Sequence, residues 1–251
     1  MGMTDNVEIT RKMCPLIFLL DTSGSMDYPD GAPIGAVNEA IKNVLPELIS
    51  MNASNSDNEI KVAIMTFDYG VKWAVGESEL VSPEEVQAYW KDLDANGYTS
   101  MGAAFKALNE KLSISRGFMK HASGSVAPVL FLLSDGEPTD DYKAGLLELQ
   151  NNNWYKVAVR VAVGYGDFNE QILREFTGNE GTVLKTSDPN SLRNTIKFVT
   201  VTSSMVASKG NVVSLDKENI NPDDNTANLA NTIKNQGGVL NASLDAGDNF
   251  D

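Results

Sequence analysis

Asp21-Thr22-Ser23-Gly24-Ser25 sets a carboxylate and two hydroxyls at alternate positions, immediately after the apolar run of residues 15–20. Gly24 permits a turn tight enough to aim all three at one point. Hard oxygen donors of this kind suit Mg2+, a small octahedral cation bound at about 2.0–2.1 Å that usually keeps some of its waters. Mn2+ and Ca2+ share that preference for oxygen. Two further segments repeat the idea. Residues 129–134 form a second apolar run that ends in Asp135-Gly136, and Thr99 stands in the glycine-bounded stretch Gly97-Tyr98-Thr99-Ser100-Met101-Gly102. Asp, Ser and Gly are ordinary turn residues, so the first segment alone also fits a plain polar turn; its recurrence argues for a shared site. Tyr28, Tyr98 and Glu137 lie beside these residues and are candidates for contacting a partner. Asp27, Asp30, Asp140 and Asp141 read as solvated loop acids, with a second ion as the alternative, and Asp68 is a candidate for supporting the site from behind.

The elements that must position these groups follow from hydrophobic period. A short, wholly apolar run is the mark of a strand buried on both faces, as in the centre of a parallel sheet. Residues 15–20 and 128–134 have that character; 59–68, 155–163 and 182–186 also read as strands, and 71–75 as a short alternating strand suited to an antiparallel edge. Between them, Ile34, Val37, Ile41, Val44, Leu45, Leu48 and Ile49 recur at helical spacing, with a kink or break expected at Pro46. Ser82-Pro83-Glu84-Glu85 carries an N-cap, a proline at the first helical position and acids in the first turn, opening a helix to about residue 91. Further helices are expected after Thr99, over 141–151 and 169–176, and after Ser187-Asp188-Pro189, whose apolar positions include Leu192, Ile196 and Val199. This alternation predicts a three-layer, doubly wound α/β fold with a mostly parallel six-stranded sheet and one antiparallel edge strand.

The chain divides into an extension over residues 1–11, a domain over 12–206 and a tail over 207–251. The tail is rich in Asn, Asp and Gly, and from Lys209 its seven acids face three lysines. It lacks the apolar surface to offset its ordering entropy. It is therefore expected to be disordered, and removing it to leave the domain intact; as an interaction arm it would have only Val212-Val213 and Val239-Leu240 as anchors. A formal charge of −14 opposes binding to nucleic acid or anionic lipid. No run approaches the ~18–20 apolar residues of a membrane span. The polar N-terminus shows no signal peptide, and Cys14, the only cysteine, cannot form an internal disulfide. A cytoplasmic location is the expectation.

In order and strand context, Asp21-x-Ser23-x-Ser25, then Thr99, then Asp135 resemble the von Willebrand factor A family and its metal-ion-dependent adhesion site, over roughly residues 12–206. The resemblance implies direct ligation by Ser23, Ser25 and Thr99, with Asp21 and Asp135 acting mainly through waters. Neutral hydroxyls donate little charge, so such an ion would retain affinity for a partner's Asp or Glu. Leu19-Leu20-Asp21-Thr22-Ser23-Gly24-Ser25-Met26, Gly35-Ala36-Val37-Asn38 and Leu133-Ser134-Asp135-Gly136-Glu137-Pro138-Thr139-Asp140 look like the bacterial tellurium-resistance-associated (TerY-like) subgroup. That implies a non-enzymatic module working beside a protein kinase or a 2C-type phosphatase in stress-response or phage-defence assemblies. The Cys-rich zinc module of some relatives has no counterpart in a chain with one cysteine.

The alternative within the family is a subunit that recruits substrates to an ATPase or chelatase-like machine. A haloacid-dehalogenase-like phosphatase would want a second acid two residues after Asp21, where Ser23 stands. A Ser–His–Asp hydrolase is disfavoured because the single histidine, His121, lies in the polar stretch of residues 120–124 and reads as a surface residue. No Gly-Lys-Ser/Thr phosphate loop is present, and Gly164-Tyr165-Gly166 lacks the third glycine of a dinucleotide turn.

Overall fold

Continuous apolar runs give the first and fourth strands two buried faces, and those faces decide the architecture. The computed structural model describes residues 11–119, 125–209 and 224–245, with side chains of the last segment described to residue 236. His121, most of the 1–11 extension and much of the 207–251 tail lie outside the described residues. The strands are β1 (Lys12–Asp21), β2 (Asn58–Phe67), β3 (Val71–Val75), β4 (Val129–Ser134), β5 (Val159–Tyr165) and β6 (Val183–Thr186). They form one sheet in the order β3-β2-β1-β4-β5-β6, in which only the β2–β3 pair is antiparallel. The three-layer doubly wound α/β fold expected from the sequence is the fold observed.

The two faces of β1 separate by alternation. Leu16, Phe18 and Leu20 point to one core, with the helices α1 (Ala32–Ser54), α2 (Pro83–Tyr89) and α7 (Pro189–Ser208); Ile17 and Leu19 point to the other, with α3 (Met101–Lys111), α4 (Tyr142–Gln150), α5 (Asn153–Val157) and α6 (Glu170–Thr177). The capping box at the start of α2 is complete: the Glu85 amide donates to Ser82 Oγ, and the Ser82 amide donates to the Glu85 carboxylate.

Four expectations need correction. Helix α1 runs unbroken through Pro46, whose side of the helix faces solvent, so water can satisfy the carbonyl that proline leaves without a donor. Helix α2 ends at Tyr89 rather than near residue 91. Residues 155–157, expected to open the strand over 155–163, belong instead to α5, and that strand begins at Val159; the Asn152 side chain caps α5 by accepting from the Trp154 amide, and Trp154 and Tyr155 are both buried. The largest difference is in the expected tail, where Asp224–Asp245 is a helix, α8.

Helix α8 finds its energy at a sheet edge. Strand β6 pairs with β5 only from Ala162 onward, so the start of β5 lacks a ladder partner on that side. Thr226 Oγ donates to the Ala158 carbonyl at 3.1 Å and accepts from the Arg160 amide at 3.2 Å, while the Asn225 side-chain amide donates to the Val157 carbonyl at 2.7 Å. Backbone groups otherwise stranded at the edge are thereby paired. One turn on, Leu229 is fully buried in the α1–α7 core, with Ile233 packed beside it.

Candidate metal site

The strand order reverses between β1 and β4, and both run in the same direction, so their carboxyl ends open into a crevice that helices cannot fill. Asp21 closes β1, and Asp135 follows the last residue of β4. The Ser23 and Ser25 hydroxyls share a hydrogen bond at 3.1 Å, and Ser25 Oγ donates to Asp135 Oδ1 at 2.8 Å. Asp21 Oδ1 accepts from the Ser23 amide at 2.9 Å, and its Oδ2 accepts from Ser134 Oγ at 2.6 Å. Four of the five candidate ligands are therefore in one hydrogen-bonded chain.

Thr99 joins them through backbone. Its amide donates to Thr139 Oγ at 3.2 Å, and its carbonyl accepts from the Thr139 amide at 2.9 Å. Thr139 lies in the loop that begins at Asp135, so two candidate ligand loops are fastened to each other. A second fastening joins the Gly24 amide to the Gly97 carbonyl at 3.2 Å. Asp140 completes the frame. Its two carboxylate oxygens accept from the Gly102 and Ala103 amides, both at 2.8 Å, so this acid caps the N-terminus of α3 rather than standing in solvent. Asp141 caps α4 through the Ala144 amide in the same way. Asp68 is buried: its carbonyl accepts from the Ser100 amide, and its carboxylate pairs with Lys72 at 2.6 Å.

Sequence reading overlooked Ser134, Thr139 and Asp140 as holders of the site. For Ser134 a signal existed, since a hydroxyl closing an otherwise apolar strand beside Asp21 needs a partner. Asp140→Ala should expose two helix-terminal amides and release the loop of residues 135–140 from the start of α3. We expect a loss of about 1–2 kcal/mol, the scale of a strong cap, measured by urea unfolding; an unchanged midpoint would remove Asp140 from the frame.

The donor set fits a hard divalent cation. Burial pushes the Asp21 carboxyl up to about 6, despite hydrogen bonds from Ser134 and Ser23, and the Asp135 charge adds to the rise. Burial also raises Asp135, against the pull of Ser25. Two carboxylates held at a disadvantage in their charged form, beside hydroxyls paired with one another, are relieved by a positive ion. Among the described residues no group of three His, Cys, Asp or Glu side chains is placed to hold a metal ion. Any cation here would depend on the hydroxyls.

The rim carries Tyr28, Tyr98 and Glu137, all exposed. Glu137 accepts from the Asn169 side chain at 2.8 Å. Sequence reading missed Tyr69, whose ring meets Tyr98 edge to face with centroids 5.2 Å apart.

The chain belongs to the von Willebrand factor type A domain family, whose profile matches residues 16–198, a family of protein-interaction and adhesion modules. Comparison with curated protein sequences finds no match. Among solved structures, proximal thread matrix protein 1 from the mussel byssus superposes with a TM-score of 0.61 at 18% identity, covering 76% of this chain and 48% of that one. Another structure of that mussel protein has a zinc-occupied metal-ion-dependent adhesion site. A von Willebrand factor type A protein from Catenulispora acidiphila gives 0.58 at 23% identity, covering 78% and 43%. The domain of the type V pili tip protein Mfa5 from Porphyromonas gingivalis gives 0.59 at 12% identity, covering 81% and 99%. The chain thus spans about half the length of the first two of these proteins. Among the described residues no helix is long and apolar enough to cross a membrane.

Proposed function

We propose that this chain is a non-enzymatic, Mg2+-dependent interaction module that grips an Asp or Glu of a protein partner through the ion, held by Ser23, Ser25 and Thr99 with Asp21 and Asp135 behind them. The observation that carries this reading is the Ser23–Ser25–Asp135 chain at the mouth of the crevice, with Asp21 buried beneath it. Hydroxyls at the mouth are neutral donors, and with Asp21 and Asp135 set behind them the outward side of the ion is left for an external carboxylate to complete. The zinc-occupied site of the mussel protein supports a divalent cation at this place in the fold.

A phosphatase reading is disfavoured by the same geometry. Asp21 is fully buried, and both of its oxygens already accept hydrogen bonds, so it is poorly placed to attack a phosphoester. The resemblance of the segments around the site to the tellurium-resistance-associated subgroup supports a bacterial stress-response or phage-defence assembly in the cytoplasm, with a protein kinase or 2C-type phosphatase as partner. Recruitment of substrates to an ATPase is the second role that a carboxylate-gripping module would serve.

Titration calorimetry tests the metal. Ser23→Ala, Thr99→Ala and Asp135→Ala should each weaken Mg2+ binding at least tenfold, and saturating Mg2+ at about 100 times its Kd should stabilise the wild-type domain by about 2.7 kcal/mol. Equal affinity in all three variants would sink the reading.

A further inference from the structure

We propose that the rim of this site selects a partner segment whose metal-binding carboxylate is flanked by Lys or Arg, with the Tyr69–Tyr98 pair as the surface on which one of those cations rests. The inference rests on the metal-gated reading above and extends it to the chemistry of the partner.

Two independent observations carry it. The first is charge. Asp27, Asp30, Asp94, Glu137 and Asp167 are exposed on the loops that surround the crevice, and none makes an ion pair among the described residues. The bases nearby are few: Lys91 follows α2, and Lys72 is already paired with Asp68. A divalent ion would compensate Asp21 and Asp135 and leave those five acids untouched. A partner approaching with several acids would be repelled by the rim, although the ion needs only one of them. A single carboxylate among bases satisfies both fields.

The second observation is a packed pair of exposed aromatic rings on the loop that carries Thr99 and on the neighbouring turn. Tyr69 and Tyr98 remain 65% and 63% exposed although their rings are packed at 88° to each other. Tyr69 lies against bare backbone: a Cβ on Gly97, whose φ is +88°, would stand 2.7 Å from its ring. The carbonyl of Gly97 accepts from the amide of Gly24, the residue between Ser23 and Ser25, and Tyr98 directly precedes Thr99. Tyr98 therefore adjoins one candidate ligand, and the Gly97 backbone against which Tyr69 packs is bonded to the residue between the other two. Exposed, pre-positioned tyrosine faces next to unpaired acids are what a Lys or Arg side chain recognises.

The test uses the full chain and three labelled peptides of equal length, followed by fluorescence anisotropy. One carries a single Asp among Lys and Arg, one has Asn in place of that Asp, and one has the Asp among Ser and Gly. Magnesium affinity of the protein alone is measured separately by calorimetry. The basic Asp peptide should bind in Mg2+ at least tenfold more tightly than either of the others, and chelator should release it. Tyr69→Leu should weaken it about five- to tenfold, and Tyr69→Phe, which keeps the ring, should restore it. Equal binding of the two Asp peptides, or no loss in Tyr69→Leu, would overturn the inference. So would failure of the basic Asp peptide to bind while Mg2+ still does, an outcome that leaves the metal reading standing. Absence of Mg2+ binding, or equal binding of the Asn peptide, would overturn the metal reading and this inference with it.

Discussion

Leu229→Ala is expected to destabilise the domain by about 2–5 kcal/mol, the range for truncating a fully buried leucine, although the residue lies outside the family match. Leu229 is completely buried in the core on the α7 side of the sheet, so the change leaves a cavity in the layer that covers one of its faces. Ending the chain at Lys209 should do more, because it also strips the Val157 and Ala158 carbonyls and the Arg160 amide of the partners that Asn225 and Thr226 provide. For a domain of this size each kcal/mol lowers Tm by about 2–4 °C. Calorimetric melting of the full and shortened chains decides the matter: coincident transitions would mean that α8 contributes nothing to the domain. Magnesium affinity is a useful companion measurement. The contacts of α8 fall at the start of β5, opposite the crevice end of the sheet, so the loss should appear in Tm far more than in metal binding.

The same helix shows where reading the sequence stops. In α8 the buried positions are Thr226 and Leu229, with Ile233 partly covered, set among asparagines. Such a stripe is too thin to register as a period, and its stability comes from carbonyls and an amide of β5 that are distant in sequence. Strands β1 and β4 were legible for the opposite reason. An uninterrupted apolar run has few alternatives to a doubly buried strand, and a carboxylate that closes or directly follows it sits at that strand's carboxyl end, where ligands bind in such sheets. Asp21, Ser23, Ser25 and Asp135 came together on that logic, whereas Thr99 needed the resemblance to a known pattern. Their supports did not announce themselves. Ser134 reaches Asp21 across 113 positions, and Asp140 reaches Gly102 across 38, and no local period encodes either pairing. Residues 155–157 differ from the expected strand over 155–163 for another reason: Asn152 supplies a cap, and the core accepts Trp154 and Tyr155 from a single helical turn before β5 begins.

The metal-free domain should lose stability as pH rises from about 4 to 6, and Asp21 is the reason. Its carboxyl is held at about 6, against an ordinary 3.8, chiefly by burial. A folded-state pKa above the unfolded one means that the folded chain binds the proton more tightly. That contribution is complete below about pH 4 and disappears as pH passes through 6. The separation of about two units corresponds to roughly 3 kcal/mol. Asp188 works in the other direction: hydrogen bonds from Ser191 and Asn190 hold it below its ordinary value, so its contribution is present above about pH 4 and fades in more acid solution. Asp135, raised by burial as well, adds to the Asp21 trend, so the curve for the whole domain mixes several carboxylates, and the variant Asp21→Asn isolates one of them. An amide fits the same position, with its oxygen accepting from the Ser23 amide and its nitrogen donating to Ser134. In chelator, urea unfolding should find Asp21→Asn about 2–3 kcal/mol more stable relative to wild type at pH 7.5 than at pH 4. Magnesium should reverse the wild-type trend, because the cation binds the ionised carboxylate and must displace the proton. Its apparent affinity should therefore fall about tenfold per pH unit below 6. Parallel stability curves for the two proteins in chelator would show that Asp21 carries its charge without penalty, and would remove the electrostatic argument for a cation at this site.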